Sequence, residues 1–183
     1  MALKYIYAAL LRGINVGGSN VIKMEDLKKA FVEMGFSGVK TCIASGNVIF
    51  VSPEKDKTLL SELIEKNLSD RYKTCLRLVI VSFKEYKAII EKVPKDFGKD
   101  AKIRRYDVWF LKAPLAAEEV MKSLTLREGV DSAAAGKGVV YTSRLTVMSG
   151  KSHLIRINKL PVYQDITVRN WNTVQKIFEL MGE

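Results

Sequence analysis

The chain has 183 residues, 48% hydrophobic and 27% charged, a composition typical of globular proteins with one large domain or two small ones. No apolar stretch approaches the roughly 20 residues of a membrane-spanning helix, and the start lacks a signal-peptide pattern, so we expect a cytoplasmic protein without membrane contact. The formal net charge of +10 favours phosphate-bearing partners, a nucleotide or a nucleic acid. A basic surface that serves only solubility is the alternative explanation.

The first half begins with alternating strand and helix patterns. Residues 5–11 are nearly all apolar and predict a strand buried on both faces. Apolar residues at helical spacing then predict a helix that ends at Gly35, in the left-handed conformation of a helix cap. Residues 39–43 and 48–51 are rich in β-branched side chains and predict two strands joined by a turn.

The rest of this half predicts a second helix and a fourth strand. Ser52 followed by Pro53 is typical of a helix start, because the hydroxyl caps the first amides and proline fits the first turn. Leu76, Leu78 and Ile80 occupy every second position, with Arg77 among the outward positions, which predicts a strand. Ser82 and Glu85 match a capping box, which predicts a further helix from this point.

The second half repeats this order of elements. Residues 124–137 predict no clear element, and residues 151–160 predict either a helix or an irregular turn. The predicted elements are strands over 106–111, 138–143 and 166–169, a helix over 114–124 and a helix at the end of the chain.

These patterns predict an α+β protein of two ferredoxin-like (βαββαβ) halves, with helices packed on one face of each antiparallel sheet. The predicted first half is 1–93, and the predicted second half with its terminal helix is 105–183. Residues 94–104 contain proline, glycine and charge but few apolar side chains, which is typical of a linker.

Two cysteines, Cys42 and Cys75, adjoin strand-like runs, and neither has the close spacing of zinc ligands. The sequence therefore predicts no metal site and two buried, reduced thiols, with a disulfide between them as the alternative. It identifies no cofactor.

Three stretches resemble a known family. They are Leu-Leu-Arg-Gly-Ile-Asn-Val-Gly-Gly at residues 10–18, Ser-Gly-Asn-Val at 45–48 and Arg-Asn-Trp-Asn-Thr-Val at 169–174. Their combination is similar to DUF1697, a bacterial family of unassigned function. The resemblance implies a two-part α+β protein with ferredoxin-like halves and supplies no activity, cofactor or catalytic residue. Val168 stands where the family often has a threonine, so no role is assigned to a hydroxyl there.

The glycine-rich turn after the first strand is the first candidate ligand site. Arg12 and Asn15 would hold a phosphate-bearing ligand, while Gly17 and Gly18 would let it approach the backbone closely. No phosphate-loop or dinucleotide motif is present, and the next helix begins several residues later. A strained turn whose polar groups bond to one another is an equal alternative.

The turn at Ser45, Gly46 and Asn47 is the second candidate, and we expect it to return to the same edge of the fold as the first turn. Its composition also suits a simple hairpin turn. Ser45 has no nearby base and no nucleophile-elbow motif, so nucleophilic catalysis is not predicted.

The third candidate lies at the last strand-to-helix junction, where Arg169, Asn170 and Asn172 could hold a carboxylate or phosphate. The alternative is that one asparagine only caps the helix. If the two halves pack pseudo-symmetrically, this junction would face the Arg12 turn.

Two further groups of residues have weaker signals. The basic cluster Lys102, Arg104 and Arg105 is typical of a solvated segment but could add to a phosphate-binding surface. Tyr5 and Tyr7 lie on a strand, where ferredoxin-like sheets can stack bases, although core packing is favoured because no RNA-binding signature is present.

The leading hypothesis is a binding protein for a phosphate-bearing ligand, either a nucleotide or a nucleic acid. One alternative is a metal-independent enzyme that orients a small anionic substrate with Arg12, Asn15, Asn47 and Arg169. The other is a purely structural or interaction protein. The sequence identifies no catalytic residue and no oligomeric state.

Overall fold

A computed structural model describes residues 4–15, 21–43 and 46–183 of the chain. It contains two four-stranded antiparallel sheets with the same topology, which confirms the predicted α+β class with two similar halves. The chain divides into two compact units, Met1–Lys87 with Gln175–Glu183 and Ala88–Val174. The halves predicted at 1–93 and 105–183 remain a prediction.

The elements follow each other in a repeated order. In the first part they are β1 (Tyr5–Arg12), α1 (Met24–Glu33), β2 (Ser37–Cys42), β3 (Asn47–Ser52), α2 (Lys57–Tyr72), β4 (Arg77–Ser82) and α3 (Phe83–Glu91). In the second they are β5 (Arg104–Leu111), α4 (Ala117–Ser123), β6 (Asp131–Gly136), β7 (Val139–Leu145), β8 (Ile166–Asn170) and α5 (Trp171–Gly182).

In the first unit, β1 lies at the centre of the sheet, whose order is β2-β3-β1-β4. Its residues from Ala8 to Leu11 expose 1% or less of their surface, as predicted for a strand buried on both faces. Tyr7, Ala9 and Leu11 belong to the core formed with α1 and α2, and the side chains between them face the other way.

The second face of this sheet lies beside the end of α5. Lys40 pairs with Ile49, which alternates with the core residues Val48 and Phe50 and so faces away from that core. The Nζ of Lys40 donates to the backbone oxygen of Leu180 at 3.3 Å. The last turns of α5 therefore lie next to β2.

Two predicted helix boundaries are confirmed. Gly35 follows α1 with a φ of +87°, and the backbone N–H of Phe36 donates to the oxygen of Phe31 at 3.2 Å, which closes the cap. At the start of α3, the carboxylate of Glu85 accepts from the backbone N–H of Ser82 at 3.0 Å. The Ser82 hydroxyl accepts from the N–H of Glu85 at 3.4 Å, which completes the capping box.

The predicted start of the second helix at Ser52 and Pro53 is wrong. Ser52 is the last residue of β3 and pairs with Tyr5, so the sheet holds it in extended conformation. Its hydroxyl accepts from the N–H of Glu54 in a turn. Asp56 caps α2 instead, because its carboxylate accepts from the first free amides of the helix.

The prediction of two buried thiols is wrong for one cysteine. Cys42 is buried, whereas Cys75 is exposed because it lies in the connection between α2 and β4 rather than within a strand.

In the second unit the sheet order is β6-β7-β5-β8. Strand β6 lies within residues 124–137, where the sequence predicted no clear element. Three short 3-10 helices lie within residues 146–165, between β7 and β8, just as α2 lies between β3 and β4 in the first unit. Residues 151–160, for which the sequence predicted a helix or an irregular turn, are therefore mostly 3-10 helix.

Phe97 anchors the segment before β5 to this second sheet. Its ring centroid lies 4.9 Å from that of Tyr106, 5.5 Å from that of Tyr141 and 5.3 Å from that of Trp171. Gly98 has a φ of +85°, and a Cβ there would lie 2.6 Å from Nε1 of Trp171. The segment predicted as a linker thus contributes an aromatic contact to the second unit.

Candidate anion-binding site

The described residues of the two polar turns in the first unit, Arg12–Asn15 and Gly46–Asn47, lie next to each other. The backbone N–H of Leu11 donates to the oxygen of Gly46 at 2.8 Å, which confirms that both turns reach the same edge. Gly46 has a φ of +75°, and a Cβ there would lie 2.5 Å from Cδ1 of Ile14. Only glycine fits this position without a shift of the first turn.

The amide side chains of these turns bond within the fold. Asn15 donates from Nδ2 to the oxygen of Ile22 at 2.9 Å and accepts from the N–H of Ile22 at 2.7 Å. Asn47 is fully buried and donates to the oxygen of Cys42 at 2.8 Å. These bonds support the alternative in which the polar groups of the turns stabilise the turns themselves.

Gly17, Gly18 and Ser45 lie outside the described residues. Their predicted role in ligand binding remains a prediction.

Arg12 is half-buried and lies directly opposite Arg77, where β1 pairs with β4. Two like charges in opposite positions of an antiparallel pair destabilise the sheet unless an anionic group lies near them. The carboxylate of Glu65 accepts from the N–H of Leu78 at 2.8 Å, next to Arg77 in the chain. Arg12 and Arg77 thus place two guanidinium-bearing residues at the end of β1 that leads into the first turn.

At the junction in the second unit, Asn170 serves as a helix cap. Its side chain accepts from the N–H of Asn172 at 3.2 Å and donates to the oxygen of Tyr106 at 3.0 Å. Arg169 exposes only 7% of its surface and donates from Nη1 to the oxygen of Val168 at 2.9 Å. The structure thus brings Asn170 and Asn172 together at the start of α5, whereas Arg169 is largely withdrawn from the surface.

A cavity of about 160 Å³ opens at this junction. The pairing of β5 with β8 sets Asp107 opposite Asn170, and this register places the start of β5 beside the start of α5. The cavity is lined by Ala101, Arg104, Arg105, Tyr106, Thr146, Asn170, Trp171 and Asn172. The basic cluster near the predicted linker therefore joins two of the predicted site residues.

Both arginines of the cavity are held in place by the fold. Arg104 donates from Nε to the hydroxyl of Ser143 at 3.2 Å and from Nη2 to the oxygen of Val130 at 3.1 Å. Arg105 donates from Nε to both carboxylate oxygens of the buried Asp107, at 3.2 and 3.0 Å. Such fixed guanidinium groups lose little freedom when an anion binds.

Residues 5–141 match the family model DUF1697, described as "Protein of unknown function (DUF1697)". The chain belongs to the DUF1697 family. No curated protein matches the sequence.

This DUF1697 protein also resembles a solved structure, that of the conserved bacterial protein SP0830 from Streptococcus pneumoniae. The two chains are 27% identical, and their superposition has a TM-score of 0.84. The match covers 98% of this chain and 99% of the other. The similarity therefore extends over both halves of this DUF1697 protein.

The lining of the α5 cavity in this DUF1697 protein offers guanidinium, carboxamide, hydroxyl and indole groups. Within residues 4–15, 21–43 and 46–183, no three His, Cys, Asp or Glu side chains are grouped as a metal site. In the same ranges, no helix combines the length and apolar character of a membrane span.

Proposed function

We propose that this DUF1697 protein binds a phosphate-bearing ligand, a nucleotide or a nucleic acid, and that a phosphate group occupies the cavity at the start of α5. The observation that carries the proposal is the lining of that cavity. Arg104, Arg105 and Asn172 all line it, and its lining contains no carboxylate. Guanidinium groups and helix N-terminal amides are the donors that phosphate groups prefer.

The volume of the cavity indicates how much of the ligand it can enclose. Sites that enclose a whole small molecule usually have volumes of roughly 300–1,000 Å³. The cavity at the start of α5 has about 160 Å³, enough for a phosphate group but too little for a complete nucleotide. The remainder of the ligand would extend over the surface, which favours a binding protein over an enzyme that encloses its substrate.

In the first unit, Arg12 with Arg77 is the proposed second contact for such a ligand. Asn15 and Asn47 would support that contact indirectly, by holding the turns in shape, because their side chains bond to the backbone. A joint site of Arg12 and Arg169 remains a prediction.

The proposal is tested with Asn172→Asp. An acid in the first turn of a helix is favourable for the helix, so the variant should fold normally. The new negative charge should repel a phosphate, and we expect the affinity for pyrophosphate and for a fluorescein-labelled single-stranded oligonucleotide to fall about fivefold to tenfold at low salt. Isothermal titration and fluorescence anisotropy measure the two affinities.

The matched control is Asn67→Asp, the same replacement on the exposed surface of α2, where Asn67 donates to Leu63 in its own helix. This control should bind like the wild type. Equal binding by both variants, or no binding by the wild type at about 50 mM salt, where phosphate contacts are strongest, would contradict the proposal. Either result would support the structural alternative, which the internal bonds of Asn15, Asn47 and Asn170 already favour for those three residues.

A further inference from the structure

A larger cavity lies in the first unit, where β1, α2 and α3 begin. Its volume is about 460 Å³. Four lysines line it, Lys4, Lys55, Lys57 and Lys84, together with the ring of Tyr5. None of these lysines belongs to a candidate site predicted from the sequence.

The fold brings the lysines together from three separate places in the chain. Lys4 precedes β1, Lys55 and Lys57 lie at the start of α2, and Lys84 lies in the first turn of α3. The pairing of Tyr7 with Ser82 places the beginning of β1 beside the beginning of α3. Because α2 begins soon after β3, the other neighbour of β1, its first residues reach the same end of the sheet.

The single glutamate of the cavity, Glu85, has its charge balanced by the fold. It accepts from Nζ of Lys57 at 2.6 Å and from the hydroxyl of Ser82 at 2.7 Å. Burial raises the pKa of Glu85, but these hydrogen bonds outweigh burial and lower it overall, so the group stays ionised and paired. Lys4, Lys55 and Lys84 then give the cavity its positive charge, and all three are exposed.

Aromatic and apolar surface lies beside these charges. Tyr5 packs partly against the core, and Nζ of Lys55 lies 5.6 Å from the centre of its ring. Phe83, which also lines the cavity, stacks on Phe178 with ring centroids 5.8 Å apart. A site for inorganic polyphosphate would need only the lysines, so the rings point to a ligand that carries an aromatic group as well.

We propose that this cavity binds a nucleoside polyphosphate, with the base against Tyr5 and the phosphates against Lys55 and Lys84. The volume lies within the range of about 300–1,000 Å³ that is usual for small-molecule sites and matches one nucleotide better than an extended strand. Lysines contact phosphates as point charges, and aromatic rings stack on bases of any sequence. This inference concerns a different unit from the α5 cavity and does not depend on the function proposed there.

The test measures the affinities of the protein for ATP, GTP, inorganic triphosphate and adenosine by isothermal titration at low salt. The first variant is Lys55→Glu with Lys84→Glu, two exposed positions where folding should be preserved. We expect its affinity for ATP to fall about tenfold or more. The matched control is Lys28→Glu with Lys29→Glu, the same charge reversal on exposed positions of α1, which should change the affinity about twofold at most.

The second variant is Tyr5→Leu, which keeps an apolar side chain but removes the ring. This variant should lower the affinity for ATP about fivefold, since stacking on one base has a modest free energy, and should leave the affinity for triphosphate unchanged. Circular dichroism checks that the Tyr5→Leu variant is folded. If this variant does not fold, the variant with both lysines replaced still tests the site.

Several results would overturn the assignment. They are no binding of ATP by the wild type, triphosphate binding as tightly as ATP, equal losses in the lysine variant and its control, or binding of a single-stranded oligonucleotide without ATP. The loss of ATP affinity caused by Lys55→Glu with Lys84→Glu should persist when Asn172→Asp is also present, so failure of one proposed site can be distinguished from failure of the other.

Discussion

The two sheets share one strand order but are covered in different ways between their third and fourth strands. In the first unit, α2 buries Leu60, Ile64 and Leu68 at helical spacing. In the second, the 3-10 helices over 146–165 have one fully buried apolar side chain, Leu154, and several partly buried ones. The strand pairing thus sets the topology, and the crossover only has to return the chain to the far edge of the sheet.

A carboxylate fixes the 3-10 segment of the second unit, which has fewer buried apolar side chains than α2, to strand β6. Asp131 of β6 accepts from the hydroxyl of Ser152, from the N–H of His153 at 2.8 Å and from the N–H of Arg127 at 3.0 Å. Burial raises the pKa of Asp131, but these bonds outweigh it and lower the pKa below the ordinary value of 3.8. Polar anchoring therefore supplements apolar packing in this crossover.

The largest expected effect tests the apolar side of this comparison. Ile64→Ala removes a fully buried side chain from α2 and should lower the free energy of unfolding by about 4 kcal/mol, whereas Ile157→Ala in the 3-10 region should cost only about 1 kcal/mol. Urea unfolding followed by circular dichroism measures both. Leu63→Ala, at an exposed position of α2, is the control and should change little. Equal losses for Ile64→Ala and Ile157→Ala would remove the contrast between the crossovers.

The next effect concerns the face of the second sheet that carries Tyr106 and Tyr141, against which Phe97, next to Gly98 in the chain, packs. Gly98→Ala combines an unfavourable φ with a contact of 2.6 Å to Trp171, and should cost about 2–3 kcal/mol. Gly138→Ala has a similar φ of +72° but nothing within 4 Å, so the difference between the two isolates the contact. Both tryptophans, Trp109 and Trp171, lie in the second unit, so their fluorescence during urea unfolding reports on it. Similar losses in the free energy of unfolding for the two variants would mean that the backbone conformation, and not the contact with Trp171, causes the destabilisation.

The smallest effect tests the polar anchor. Asp131→Asn should lower the free energy of unfolding by about 1–2 kcal/mol at neutral pH, because three donors lose an ionised acceptor. The folded-state pKa is depressed, so the contribution is present above the unfolded-state pKa and is lost as the pH falls through the folded-state value. Variant and wild type should converge once the pH has fallen below the folded-state pKa. A difference that persisted there would show that shape, rather than charge, is responsible.

The parts of the fold that depend on local signals could be predicted from the sequence. The cap at Gly35 and the capping box of Ser82 and Glu85 need only neighbouring residues. The helix start at Ser52 was wrong because pairing with Tyr5, distant in the chain, holds Ser52 in a strand. Strand β6 was missed because Asp-Ser-Ala-Ala-Ala-Gly has little strand propensity and is extended through its pairing with β7.

The candidate sites were predictable to different extents. Arg104, Arg105 and Asn172 were each noted in the sequence, and the pairing of first and last strands in a ferredoxin-like half would have placed them together. The lysine-lined cavity was not predicted, since Lys4, Lys55 and Lys84 come from three element starts and form no motif. Solvated lysines and site lysines look alike until the fold groups them.

The unequal burial of the two cysteines has a practical consequence. Burial raises the pKa of Cys42 and shields its thiol, whereas Cys75 is exposed. Maleimide dyes should therefore attach at a single position of the native protein without engineering. An exposed thiol can form a disulfide between two molecules in samples kept without reductant, so a Cys75→Ser variant is the material with which to count subunits.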